Sequence, residues 1–188
     1  MRQTNGVNYN LKKIVRKQTA ELQHLNNTDA LTNVKNRRYF DTKLGQYTKM
    51  SSRCVKTISI IMLDVEYFKK INDTYGHPFG DHCLQLVAQN LNRHIQREND
   101  FIARYGGEEF VAVLPATDIN GSKILAEKMC RSIAQMKIPI ENGKKFITMT
   151  ISVGVAEGEK DEKQIVAAAD AALYRAKQNG RNRVEIHQ

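Results

Sequence analysis

RENDFIARYGGEEF, residues 97–110, sets two β-prone runs around a glycine pair and places two glutamates directly behind it. Phe101–Tyr105 and Phe110–Leu114, joined through Gly106 and Gly107, have the pattern of a β-hairpin. A hairpin makes the sheet at least partly antiparallel. Glu108 and Glu109 are adjacent carboxylates, which repel unless solvent, a lysine or a metal ion supplies positive charge nearby. Upstream, Arg97 and Asp100 form an Arg-x-x-Asp pair that, taken alone, reads as an ordinary surface ion pair.

Working outward, Thr57–Asp64 is isoleucine-rich, ends in a carboxylate and reads as a buried strand. A short helix over Tyr67–Thr74 follows, then a turn at Gly76, Pro78 and Gly80. Asp81 is expected to cap the next helix, whose Leu84, Val87, Ala88, Leu91 and Ile95 share one face. Ile119–Met136 reads as a helix with Ile124, Leu125, Met129 and Ile133 inward. Phe146–Ala156 reads as a strand, Lys163–Gln178 as a helix ended by Gly180, and Asn182–His187 as a last strand. On the N-terminal side, Thr28 or Asp29 is expected to cap a helix running from Ala30 or Asn36 to Tyr47. Leu11, Val15, Gln18, Leu22 and Leu25 recur at four- and three-residue steps. They suggest a short coiled-coil seam or a helix packed on its own domain. The expected division is a helical linker over 1–28 and one α/β domain, of the mixed α+β type, over 29–188.

With 188 residues, 41% apolar and 26% charged, the chain has the composition of a globular domain. Its apolar stretches, such as Ile58–Leu63 broken only by Ser59, are too short to cross a bilayer, and no signal-peptide pattern opens the chain. The expectation is a cytoplasmic domain, or the cytoplasmic part of a larger sensory protein, with no membrane segment in this chain. Cys54, Cys83 and Cys130 lack the spacing of a zinc site or a disulfide framework. The net charge of +9 fits a solvated basic surface or a polyanionic partner. No dense basic stripe with interleaved aromatics is present, which argues against nucleic acid.

Three groups carry chemistry. If the strands bearing Asp64 and Glu108-Glu109 are neighbours, their carboxylates suit a hard divalent cation that also takes phosphate oxygens. In LDVEYFKKINDTYGHPFGD (63–81), Asn72 and Asp81 frame a glycine-containing loop, and an amide with a carboxylate can read the edge of guanine. In ADAALYRAKQNGRNRV (169–184), Lys177 and Arg181 lie at a helix end, where they complement the helix dipole or meet polyphosphate. Each group has a bland explanation; their joint occurrence in this order does not.

From Asp29 to Val184 the chain resembles the GGDEF family of diguanylate cyclases, in its GGEEF form. The resemblance rests on DALTNVKNRRYF (29–40), the 63–81 block, ARYGGEEF (103–110) and the 169–184 block, in that order. It implies a central, mainly antiparallel sheet of about five strands flanked by helices, like nucleotidyl cyclase and polymerase palm domains. It implies the reaction 2 GTP → cyclic di-GMP + 2 pyrophosphate in a homodimer, with Mg²⁺, or Mn²⁺ in its place. Carried over, Asp64, the Val65 carbonyl and Glu108 resemble the metal ligands, and Glu108 with Glu109 the catalytic acidic pair. Asn72 and Asp81 resemble the guanine readers, Lys177 and Arg181 the phosphate contacts, and Gly106 and Gly107 the space for nucleotide. Arg97 and Asp100 stand at the family's inhibitory site, which binds cyclic di-GMP, with Lys128 or Arg131 as the additional cation. Two departures stand out: Asn33-Val34 where Gly-Leu is usual, and Glu66 where Asp is frequent, expected at the surface. The rival reading is a non-catalytic module that binds GTP or cyclic di-GMP and signals through a partner.

Overall fold

The structure is a computed structural model describing residues 27–54, 57–140, 143–158 and 161–187, side chains of 50–54 excepted. In chain order its elements are β1 (Lys35–Asn36), α1 (Arg37–Cys54), β2 (Ile58–Val65), α2 (Phe68–Tyr75) and α3 (His77–Asn92). Then come β3 (Phe101–Gly106), β4 (Glu109–Pro115), α4 (Ile119–Gln135), β5 (Ile138–Ile140) and β6 (Lys145–Ile147). The last are β7 (Ile151–Gly158), α5 (Glu162–Gln178) and β8 (Val184–Ile186).

Six strands form one sheet in the order β1-β3-β4-β2-β7-β8. The β3/β4, β4/β2 and β2/β7 pairs are antiparallel, while β1/β3 and β7/β8 are parallel. β2 lies inside the sheet with helices over both faces, which is why it reads as a continuous apolar run rather than an alternating one. Ile61, Leu63 and Val65 face Leu84 and Val87 of α3 and Met129 and Ile133 of α4. Ile58, Ile60 and Met62 face Phe40 and Leu44 of α1 and Ile165, Ala169 and Leu173 of α5. α5 lies directly on the β7 backbone at Gly154, where an added Cβ would come within 2.2 Å of Ala169 O and Leu173 N. That close approach sets the helix's register over the sheet.

Several expectations change in detail. The sheet has six strands rather than about five, and a separate two-stranded ribbon pairs β5 with β6. The strand expected over Phe146–Ala156 is two strands, because the chain leaves the ribbon at Ile147 and enters the main sheet at Ile151. Asp81 does not cap α3: the helix begins at His77 after Gly76, with Pro78 in its opening turn, where a missing N–H costs nothing. Ile124 faces solvent, and Ala126, Met129, Cys130 and Ile133 form the inward face of α4. Asn36, rather than Thr28 or Asp29, accepts a hydrogen bond from Tyr39 N at the start of α1. Asn33 takes the left-handed conformation at φ 58°, which asparagine tolerates better than most non-glycine residues, so the turn survives the departure from Gly. The seam from Leu11 to Leu25 lies outside the described residues. Among those described, no helix is long and apolar enough to cross a membrane.

Candidate active site

The hairpin and the central strand meet as the 97–110 stretch requires. In the β2/β4 ladder Asp64 is the direct partner of Glu109, and on its other side Asp64 pairs with Ser152 of β7. Cross-strand partners share a face, so Glu109, Asp64 and Ser152 form a row across three strands on the side covered by α5. Glu108 occupies the turn itself, with its carbonyl accepting from Val65 N at 3.3 Å. Gly107 has φ 52°, and a Cβ added at Gly106 or Gly107 would meet nothing within 4 Å, so the turn opens onto free space.

α5 brings the cations. Leu173 sits over Gly154, and one turn further on Lys177 reaches the row, its Nζ 2.9 Å from Asp64 Oδ2. Arg181, just past the helix, places Nε 2.9 Å from Glu66 Oε2. Glu66 is therefore not at the surface: it is buried, and it also accepts a hydrogen bond from Ser152 Oγ. Burial pushes the Glu109 carboxyl up, and the charges of Asp64, Asp170 and Glu108 add to this while Lys177 opposes it. The row thus carries more negative charge than its lysine balances. Among the described residues no group of three or more His, Cys, Asp or Glu forms a ready-made metal cluster, so a divalent cation there would need oxygens from elsewhere as well.

Asp170 was not singled out from sequence, and Glu66 was named only as a departure expected at the surface. Asp170 stands seven residues before Lys177, two helical turns on the same face, and that spacing was the available signal. Glu66 shares its parity with Asp64, but its burial depends on α5 and β7, which no local pattern announces.

Asn72 and Asp81 lie on α2 and α3, the two consecutive helices that follow β2. Asn72 Oδ1 is buried without a hydrogen-bond partner, and a Cβ at Gly80 would come within 1.8 Å of it. The glycine before Asp81 therefore lets the two helices close around the amide. Asp81 itself is exposed. An unpaired buried acceptor beside an exposed carboxylate fits a donor-rich planar edge. At the start of α2 Tyr67 has φ 55° and no side chain caps the helix, so its first N–H groups complement an anion.

The hairpin is braced from behind by Arg104, whose Nε donates to Gly107 O at 2.8 Å and whose Nη1 meets Asp29 Oδ1 at 3.2 Å. Burial alone would push Asp29 up. Hydrogen bonds from the Thr32 side chain and backbone, with the Arg104 charge, hold it below the usual carboxylate value instead.

Arg97 and Asp100 are not part of this cluster. They precede β3, whose six residues separate them from Gly106 by roughly 17–20 Å. Arg97 Nη1 donates to Thr117 Oγ1 at 3.0 Å, and Asp100 N bonds Arg97 O. Burial pushes the Asp100 carboxyl up, and the Arg97 charge partly offsets this. Of the two α4 cations, Lys128 acts electrostatically on His94, three residues before Arg97. Arg131, one turn later, is exposed.

Residues 26–183 match the family described as "Diguanylate cyclase, GGDEF domain". Diguanylate cyclase A of Treponema denticola is 43% identical over 173 residues, which are 89% of this chain and 46% of that protein. Diguanylate cyclase DgcP of Pseudomonas aeruginosa is 37% identical over 159 residues, 85% of this chain and 24% of that one. The chain thus spans less than half the length of these two relatives. Among solved structures, the coiled coil and GGDEF domain of DgcB from Caulobacter crescentus, in complex with c-di-GMP, superposes with TM-score 0.88. It is 28% identical, and the match covers 97% of each chain. SiaD from Pseudomonas aeruginosa, in complex with its activator SiaC, gives TM-score 0.85 at 31% identity, over 98% of this chain and 70% of that one. With its acidic row at the GGEEF turn and its family match over 26–183, this chain belongs to the GGDEF family of diguanylate cyclase domains.

Proposed function

We propose that the chain is a diguanylate cyclase that condenses two GTP into cyclic di-GMP with release of two pyrophosphates, working as a homodimer with Mg²⁺. The observation that carries this is the Asp64–Glu109 register, with Glu108 on the adjoining open turn and Lys177 on Asp64. In this reading Asp64, Glu108 and the Val65 carbonyl would hold Mg²⁺, which would supply positive charge for the phosphates and for lowering the pKa of the attacking hydroxyl. Mn²⁺ suits the same oxygen donors. Asn72 Oδ1 and Asp81 accept from the guanine N–H groups, which adenine does not offer in that pattern. Lys177 and Arg181 take up charge on the triphosphate, and Gly106 and Gly107 leave room for the nucleotide.

Each domain presents one GTP. The 3′-oxygen of one attacks the α-phosphorus of the other, the α–β bridging P–O bond breaks and pyrophosphate leaves. Glu108 takes up the hydroxyl proton, and Glu109 maintains the negative field beside it. A carboxylate alone is a weak base for an alcohol, so this transfer needs the cationic surroundings. Two facing domains close the ring, which is why activity requires the dimer. Accumulated product binds at Arg97 and Asp100, with Lys128 or Arg131 as the further cation, and holds the domains in unproductive positions. Arginine's planar fork suits both guanine's acceptor edge and phosphate.

Incubation with GTP and Mg²⁺ followed by chromatography tests the reading. Cyclic di-GMP and pyrophosphate are expected in a 1:2 ratio by the stoichiometry of the reaction. Absence of cyclic di-GMP even at high protein concentration sinks it.

A further inference from the structure

Glu66 has no role in the chemistry described so far, yet it is the most constrained carboxylate of the site. Its side chain is 5% exposed, and both of its oxygens are occupied. Oε1 accepts from Ser152 Oγ, itself fully buried, and Oε2 meets Arg181 Nε at 2.9 Å. Its backbone N donates to Thr150 O at 2.9 Å, which ties the β2–α2 connection to the approach of β7. A carboxylate this buried is expensive unless paired and hydrogen-bonded, and here it is both.

The partner is held just as firmly at its base and left open at its tip. Arg181 N bonds Ala176 O at 3.0 Å, and Arg181 and Asn182 have φ 60° and 46°, consecutive left-handed residues that side chains rarely adopt. The guanidinium lies 5.5 Å from the Tyr67 ring centroid, and the side chain is 44% exposed. Arginine carries five N–H donors, and a carboxylate meeting it at Nε takes at most two of them. The outer edge of the fork stays available, beside the uncapped start of α2.

We propose that Glu66 is a positioning residue: it grips Arg181 by Nε from below, so that the outer guanidinium edge faces the triphosphate before the nucleotide arrives. A free arginine side chain would have to give up its rotamer freedom on binding, and one held by Glu66 and Tyr67 has already given it up. The effect falls on substrate affinity, because Glu66 touches neither the attacking hydroxyl nor the α-phosphate. This rests on the reading of Arg181 as a phosphate contact in the proposed cyclase.

The test is steady-state kinetics of the full chain with GTP, comparing wild type with Glu66→Gln, Glu66→Asp and Arg181→Gln, each checked by thermal melting. Glu66→Gln keeps the shape and an acceptor for Ser152 but removes the charge. It is expected to raise KM for GTP about tenfold with kcat within about twofold. Glu66→Asp keeps the charge on a shorter stem and is expected to stay within about threefold of wild type in KM, because the arginine can follow. A purely structural role predicts the reverse order, with glutamine the milder change.

An unchanged or lowered KM in Glu66→Gln overturns the proposal, as does Glu66→Asp behaving like Glu66→Gln. If Glu66→Gln does not fold, Ser152→Ala, which frees the other oxygen, is expected to raise KM about twofold to fourfold, and no rise overturns the proposal. Failure of the underlying reading looks different. Wild type then makes no cyclic di-GMP, or Arg181→Gln leaves KM where it was.

Discussion

The two ends of β3 are built differently. At its C-terminal end the hairpin gathers side chains from four separate segments: Glu109 from β4, Asp64 from β2, Lys177 from α5, and Arg104 reaching back to Asp29. Asp64 and Asp29 each meet a cation there, while Glu109 remains crowded by neighbouring carboxylates. At the N-terminal end, Arg97 and Asp100 sit in one local turn, and the arginine leans on a neutral threonine hydroxyl. A guanidinium gains less from a hydroxyl than from a carboxylate, so Arg97 is easier to recruit to an anionic ligand. The difference separates an end tied together by ion pairs between distant segments from one held by local contacts.

The sharpest way to break that contrast is Glu108→Ala. Turnover is expected to fall at least about 10³-fold with the melting temperature nearly unchanged, because the residue lies in an open turn. Turnover within about tenfold of wild type by this variant would remove Glu108 from the chemistry. At the other end, Arg97→Ala is expected to leave initial rates within about twofold while the rate at accumulated product rises several-fold, as seen in full progress curves. Calorimetry should show weakened cyclic di-GMP binding in the same variant. Equal inhibition of both proteins would mean that the turn is only a turn.

Smaller effects probe the bracing of the hairpin. Asp29→Asn removes the charge held by Arg104 and Thr32, and is expected to cost about 1–2 kcal/mol in denaturant melts at neutral pH. The Asp29 carboxyl is held below its ordinary value of 3.8, so its contribution is present above that pH. It is lost as pH falls through the lower, folded value. The stability of Asp29→Asn should therefore vary less with pH on the acid side than that of wild type. The smallest expected effect is at the crowded carboxylates: Glu109→Gln relieves repulsion and should raise the melting temperature by about 1–3 °C without Mg²⁺. Added Mg²⁺ should narrow that gap, and a lower melting temperature for the variant would mean that Lys177 already balances the row.

Asp64, Glu109 and Lys177, which the fold brings together, were all named from the sequence, because charged side chains beside glycines at strand and helix ends stand out there. The hairpin was legible from two β-prone runs around Gly106-Gly107. The start of α3 was not, since Gly76, Pro78 and Gly80 all signal a turn, and only packing against Asn72 shows Gly80 to be helical. Ile124 was misplaced because apolar residues at helical spacing mark a face without saying where it ends. Glu66 was misplaced for a related reason: a carboxylate two residues from another looks solvated until a buried serine and an arginine close over it.

The sequence alone determined most of the strands and helices and which residues carry charge at their ends, because periodicity and turn chemistry act within a few residues. Only the tertiary structure decided the neighbours. It aligned Asp64 with Glu109, laid α5 on Gly154 so that Lys177 reaches Asp64, and brought Asp170 near Glu109. Those contacts join positions tens of residues apart, and local patterns specify a face without specifying what will lie against it.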